Sequence, residues 1–539
     1  MSLAVPLITA AGEPLPSEFL VASVEVVREV GRVPYARIVL IDGDLPSRTF
    51  AAANSDAFAP GAEISISVRV EERTSALFSG LVARLRMEVR AGSPRLVVEC
   101  KDKAWRLTRP RRSAVYAESS DADAVGAILT RAGVDRGELT GDSIIHPQLV
   151  QYDVSDWDFI LARAEAIGMA VTVKDGAVSM LPWSVDGAAA LTVELGLDVV
   201  NDIELELDAA TQPESVEAVG WDLPQGALTE PAAAAPFDLA QGDVDPADAA
   251  GALGFGAATL AHLAPLPAAE LRAWASARLA RERLALLRGR LSIGGTAVEL
   301  LDLVELRGVG ARFAGKALVG GVRHLVEANG WSSDLQLGLP SPPPFPSAAP
   351  DGPLPAVRGL RIGIVSEFEA DPLGEQRIRV ILPGLGSGDG IVWARLATPE
   401  AGSKRGFLFR PMPGDEVVVG FLADDPREPV VLGALFGSKN APHDPFATAT
   451  AENGAKGFGS ANVALEIVDT DDQAALALKA KKSSLTLALK DGAESITLAD
   501  GNGNKLVFDK NGIHLVSAKD LKVEASGNVT VKGTQIALN

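Results

Sequence analysis

Residues Gly310-Ala311-Arg312-Phe313-Ala314-Gly315-Lys316 have the glycine and lysine spacing of a loop that cradles nucleotide phosphates. Two features count against that chemistry. Position 317 is alanine, so the hydroxyl that would ligate Mg²⁺ is missing, and 317–326 reads as a strand where a phosphate needs a helix N-terminus. The segment reads instead as a tight hairpin between 300–307 and 317–326. The five histidines, His146, His262, His324, His443 and His514, are too far apart in sequence for a local metal motif and read as structural or surface residues. There is no Gly-x-Ser-x-Gly elbow and no His-Glu-x-x-His helix. The pairs Asp424-Asp425 and Asp471-Asp472 fall in turn-like segments and read as solvated turns. The single cysteine, Cys100, rules out an internal disulfide and reads as a small buried residue of a strand over 95–100. The expectation is therefore no catalytic constellation, no cofactor and no metal. A glycoside hydrolase is the hardest enzyme to exclude, because two distant carboxylates leave no sequence signature.

The elements around these residues read as several domains, as expected for 539 residues. No apolar run reaches the roughly 18 residues of a membrane span, and the start lacks a basic signal region, so the expectation is a chain made and assembled in the cytoplasm. Lys+Arg against Asp+Glu is 30 to 47 over residues 1–357, but 10 to 11 over both 358–440 and 451–539. Without a basic stripe, nucleic-acid binding has little electrostatic support. Lysine occurs only at 101, 103, 174 and 316 before residue 358, whereas every basic residue from Lys439 onward is lysine, which marks a change of module.

Residues 1–339 read as a β-dominated module. Strands are predicted at 19–27, 35–41, 63–71, 76–89 and 95–100, suggesting a barrel or sandwich. Helices are predicted at 122–132 capped by Asp121, at 156–168 capped by Ser155 or Asp156, and at 268–287 stopped by Gly289. An Ala/Pro-rich stretch at 224–267 reads as a surface excursion, and the Pro-rich stretch 340–357 as a stiff linker. Five strands in 358–440 (360–368, 376–382, 390–396, 415–421 and 429–435) suit a small Greek-key barrel of the OB type. A connector, 441–461, follows.

Residues 462–539 alternate apolar and polar positions between turn formers, with no proline. Leu485, Leu487 and Leu489 share one face, and the parity recurs in Ile496/Leu498, Leu506/Phe508, Ile513/Leu515, Leu521/Val523, Val529/Val531 and Ile536/Leu538. Such a thin segment has no thick core of its own, so these apolar faces are expected to meet those of other copies of the chain.

The string Gly363–Val365, Arg377-Ile378-Arg379-Val380, Pro383, Trp393-Ala394-Arg395, Ala401-Gly402, Gly406-Phe407, Pro411, Gly414-Asp415-Glu416 and Pro429–Gly433 resembles the OB domain of the VgrG and contractile-phage baseplate spike family. Trp393, Arg395, Gly414, Asp415, Glu416 and Gly433 carry the motif. Gln151-Tyr152-Asp153-Val154-Ser155-Asp156-Trp157-Asp158-Phe159 resembles that family's hub signature, and Gly315, His324 and Gly330-Trp331 its last hub strands. The resemblance implies a homotrimer: hubs capping a hexameric inner tube, OB domains forming a collar, and C-terminal segments winding into a triple-stranded β-helical needle. It also implies baseplate proteins as partners and only transient contact with a target membrane. The alternation runs to Gln535-Ile536-Ala537-Leu538-Asn539. Ile536, Leu538 and Asn539 are accordingly expected to meet a separate PAAR-like tip protein. The reading is a non-enzymatic spike of an extracellular phage-tail-like particle, with type VI secretion or a phage or tailocin as alternatives. The rivals of other classes are a carbohydrate-active trimeric β-helix enzyme and an OB nucleic-acid binder.

Overall fold

In the computed structural model residues 4–538 are described, except 91, 142, 263, 341–352, 384, 386–389, 449–450, 471–473, 481–482 and 489–494; at 90, 445, 474 and 483–488 only the backbone is described. The chain forms two compact units, Met1–Ala434 and Leu435–Asn539.

The first unit is built on a thirteen-stranded sheet among the described residues. Its strands Leu20–Glu29, Tyr35–Ile41, Glu63–Val70, Arg73–Arg90 and Ser93–Lys101 fall close to their predicted places. Period-two alternation sends Val24, Val26, Ile38, Leu40, Ile64, Ile66, Leu96 and Val98 into one core with Phe58 and Cys100. The strand Gly315–Glu327 returns from far along the chain to pair with Leu20–Glu29, Val326 opposite Val24. This return closes the module, and it explains the false phosphate loop: Leu303–Arg307 and Gly315–Glu327 pair antiparallel.

The three expected helices form, two of their ends differing from expectation, and among the described residues a fourth, Pro246–Ala252, lies in the Ala/Pro-rich stretch. Asp121–Ala132 is capped by Ser120, whose hydroxyl accepts from the Asp123 amide at 3.2 Å, while Asp121 is fully buried. Ser155 caps Asp156–Ala166 in the same way, accepting from Asp158 N at 3.1 Å. The last of the expected helices, Ala268–Leu286, runs directly into the strand Leu287–Gly294, so Gly289 does not end it. Gly289 is instead a strand residue at which a Cβ would strike the Glu204 backbone. Within 224–267, the strand Ala258–Ala261 pairs with Val216–Val219, and Leu266 packs against Leu271 and Ala275 of the long helix.

His324 is 1% exposed beside Ser333 (2.9 Å) and the Arg28 guanidinium (3.5 Å), with the Trp331 ring at 5.7 Å and Glu299 paired to Arg28. Burial and, secondarily, the Arg28 charge lower its pKa to about 4. The unfolded chain then binds a proton below about pH 6.5 that the folded chain refuses until about pH 4. Stability is expected to fall across that window on acidification, by at most about 3.5 kcal/mol at about 1.4 kcal/mol per unit. Thermal melts from pH 7 to pH 4 should show this loss reduced in His324→Gln.

Residues 361–434 close a five-stranded barrel, Arg361–Val365, Ile378–Ile381, Ile391–Leu396, Pro429–Ala434 and Glu416–Phe421. Val380, Val392, Ala394, Val417, Val419 and Val431 fill it, none measurably exposed. A Cβ on Gly363 would lie 2.5 Å from Val380 Cγ1 and 3.0 Å from Val419 Cγ2. Gly363→Ala is therefore expected to overpack the barrel and cost about 1–3 kcal/mol, read as a lower denaturation midpoint of the OB domain.

Among the described residues the second unit is a seven-stranded antiparallel meander that starts at Ala455–Gly459 and ends at Gly512–Val516. Beyond it, residues 517–538 form no strand and are almost entirely exposed.

Candidate assembly surfaces

Cross-strand register converts the alternation into two ladders. Leu465, Leu478, Leu485, Leu498, Leu506 and Leu515 occupy successive paired positions, as do Ile467, Leu476, Leu487, Ile496, Phe508 and Ile513. Directly paired residues of an antiparallel sheet project to the same side, so each ladder lies on one face. The neighbouring positions carry Glu466, Lys479, Thr497, Lys505 and His514, with Lys479 and Glu466 in an ion pair at 2.5 Å.

The polar side is the better covered in the single chain. Ala464 and Glu466 are buried, with His443 at 3.6 Å from Glu466, whereas Leu498 is 52% exposed and Ile513 68%. This inverts the ordinary arrangement, in which an antiparallel sheet solvates its polar face. Of the expected needle residues, Ile496, Leu498, Leu506, Phe508, Ile513 and Leu515 share the apolar face. Leu485 and Leu487 hold the matching register positions, their side chains lying outside the described residues, as do Leu489 and Asn539 entirely. Leu521, Val523, Val529, Val531, Ile536 and Leu538 are exposed and lie in no strand.

The OB motif residues build geometry. Asp415 N donates to Met412 O at 2.9 Å across Pro413-Gly414, and Gly414 has φ +91°, the arrangement of a type II turn. The Asp415 carboxylate accepts from Met412 N at 2.8 Å, and Gly414 N donates to Val365 O at 2.9 Å, fixing the turn to the first barrel strand. Glu416 pairs with Ile364, Arg395 with Val430 and Gly433 with Val418 in the ladders. Trp393 lies under the Arg377 guanidinium, 5.6 Å from ring centroid to Cζ. Nearby, Phe407, Leu408, Phe409 and Met412 stand exposed in one stretch, a second apolar surface on the OB domain.

The hub signature places a two-stranded antiparallel ribbon between two cores. In His146–Ser155, paired with Arg111–Ser119, Leu149 packs in the hub core, whereas Val150 and Tyr152 pack in the OB core. Gln151 Nε2 donates to Asp156 at 2.9 Å, and Arg361 donates to the Tyr152 hydroxyl at 3.1 Å.

Sequence reading missed a buried ionic cluster between these domains. Asp425, expected in a solvated turn, is 3% exposed and paired with Arg427 at 2.8 Å, because the turn folds against the hub. Asp471 and Asp472 lie outside the described residues. Arg163 had one readable signal: it follows Phe159 and Ile160 at helical spacing on the apolar stripe, where a charge requires a partner. No group of three or more His, Cys, Asp or Glu side chains among the described residues is arranged to hold a metal ion.

The architecture, a β-rich hub joined to an OB barrel and followed by a repetitive β segment, is that of VgrG-like hub-spike proteins. Residues 2–328 match the family described as the Alg8 N-terminal domain, and the chain belongs to that family. Residues 361–436 match the type VI secretion system/phage-baseplate injector OB domain. The chain is 30% identical over 127 residues to the type VI secretion system spike protein VgrG5 of Pseudomonas aeruginosa, a match covering 22% of this chain and 15% of that protein. Among solved structures, the E. coli c3393 protein, a component of the type VI secretion system with structural similarity to T4 bacteriophage tail proteins gp27 and gp5, aligns with TM-score 0.51 at 15% identity. That alignment covers 79% of this chain and 99% of c3393. A chain of the Francisella PdpA–VgrG complex aligns with TM-score 0.55 at 11% identity, covering 96% of this chain and 88% of that one. These likenesses establish the shared fold.

Proposed function

We propose that the chain is the homotrimeric central spike of a contractile injection system, capping the inner tube at the baseplate and piercing the target envelope when the sheath contracts. The observation that carries this reading is the pair of apolar ladders crossing six strands and left open in one chain. Each half-exposed Leu, Ile or Phe gains about 1 kcal/mol on completing its burial, half of the roughly 2 kcal/mol for a whole side chain. Three copies can turn these faces inward as a closed prism, removing both the apolar exposure and the sheet edges. The extended residues 517–538, alternating and without strand partners of their own, continue the prism by pairing between chains.

The role is mechanical, and the reading assigns the chain no reaction. Its partners are the hexameric tube protein at the hub, baseplate proteins, and a PAAR-like protein covering the exposed Ile536 and Leu538. Assembly takes place in the cytoplasm and action in an extracellular phage-tail-like particle. A type VI secretion spike is the second reading, favoured by the VgrG5 match. Gene neighbours separate them: tube, sheath and AAA ATPase genes without capsid genes or a membrane complex indicate the particle. Deleting residues 446–539 is expected to reduce the trimer to monomers or weak oligomers in sedimentation; an equally stable trimer would place the main contacts in the hub and OB domain.

A further inference from the structure

We propose that the buried ionic cluster between hub and OB domain is a joint that fixes their relative orientation and makes residues 1–434 one rigid body. Five charged side chains meet there from four parts of the chain. Arg163, with no measurable exposure, donates to both carboxylate oxygens of Asp121 at 2.6 and 2.9 Å and to Glu270 at 3.3 Å. Glu270, on the long hub helix, also accepts from Arg427 of the OB domain at 2.8 and 3.1 Å. Arg427 donates in turn to Asp425, which His262 meets at 3.1 Å from the Ala/Pro-rich excursion. His146 lies 3.1 Å from Asp121 and 3.7 Å from Glu270. Glu270 thus joins two guanidinium groups, one from each domain.

The cluster also gathers the chain between the domains. The Pro353 carbonyl accepts from Arg163 Nη1 at 3.1 Å, Leu354 is buried in the hub core, and Val357 N donates to Asp424 O at 2.8 Å. The end of the Pro-rich stretch is therefore packed against both domains. Gln148 bridges them again, donating to Arg427 O at 2.7 Å and accepting from Trp393 N at 3.3 Å.

Why this cluster, and not the apolar contacts around it, should set orientation follows from directionality. Apolar packing through Val150 and Tyr152 tolerates small rotations, whereas a bidentate guanidinium–carboxylate pair has one geometry. Misalignment would leave charges buried without partners, a steep penalty compared with a shifted van der Waals contact. Burial opposes ionisation of Asp121, Glu270 and Asp425, yet the adjacent guanidinium groups outweigh it and hold all three carboxyls below the usual range. All three are thus charged at neutral pH, and the joint is an ionic one. For a spike driven end-on, such a joint would carry load from hub to OB domain without bending; that use rests on the proposed function, the rigidity does not.

The test is a spin-label distance measurement in the full-length protein. Labels are placed at cysteines introduced at exposed Arg69 in the hub and Lys404 in the OB domain, Cys100 being buried. The parent chain is expected to give one narrow intramolecular distance distribution. Glu270→Gln, near-isosteric, and Arg427→Met are each expected to broaden it or add a second population with unchanged far-ultraviolet circular dichroism. A distribution as narrow as the parent's in a folded variant would overturn the proposal, assigning orientation to apolar packing. Loss of hub structure in Glu270→Gln, with the barrel intact, would also overturn it, because the cluster would then build the hub core. Rigid, narrow distances in a protein that is monomeric would uphold the joint while contradicting the spike.

Discussion

A chain carrying Leu498→Asp and Leu506→Asp is expected to sediment as a monomer under conditions where the parent is trimeric. The two residues are directly paired on neighbouring strands, so both lie on the same ladder. Three copies would bring six carboxylates into an interior otherwise lined by Leu, Ile and Phe. The effective penalty for an unpaired buried charge is several kcal/mol, against about 1 kcal/mol gained per apolar residue on completing burial. Two such penalties in each chain, added to the apolar burial lost at both positions, rival what the ten remaining ladder positions supply. The specificity control is Thr497→Asp, one residue away in sequence but on the opposite face, which is expected to leave the trimer intact. Equal disruption by both changes would mean that the apolar face does not point inward.

Arg163→Met is expected to produce the largest loss of hub stability from a single substitution. The side chain is fully buried and is the partner of Asp121, while also contacting Glu270 and the Pro353 carbonyl. Removing it leaves a buried carboxylate uncompensated, a defect that costs about 3–5 kcal/mol. At roughly 2–4 °C per kcal/mol for a sizeable domain, the hub transition should fall by the order of 10 °C. The exposed pair Arg111–Asp153, at 3.0 Å, gives the comparison. Arg111→Ala should shift the transition little, since an exposed pair is solvated and screened in both the folded and unfolded chain. A small effect at Arg163 would mean that the cluster relaxes by taking up water.

These two predictions draw on different depths of the sequence. The ladders were legible because strand period is two and the turn formers between strands set the register, so the apolar parity of Ile496/Leu498 and Leu506/Phe508 survives pairing without tertiary information. The barrel strands were legible for the same reason. The cluster was not. Asp121, Glu270 and Arg427 are hundreds of residues apart at the extremes, and nothing local distinguishes them from solvated charges. Their burial is decided by how the domains meet. Asp425 shows the cost: a turn residue by its neighbours, it became a buried ion-pair partner because the turn lands on the hub. Gly289 failed differently. A glycine after a helix suggests a stop, but here the chain passes straight into a strand whose close approach to Glu204 demands a missing side chain.

The family match over the hub and the OB match downstream fix the fold, whereas copy number rests on the open apolar face. The most direct test is therefore the solution mass of the full-length chain at micromolar concentration, by sedimentation or native mass spectrometry. A species three times the 56.0 kDa of one chain, persisting on dilution, is the predicted result. A stable monomer of 56.0 kDa with the ladders still exposed would contradict the account.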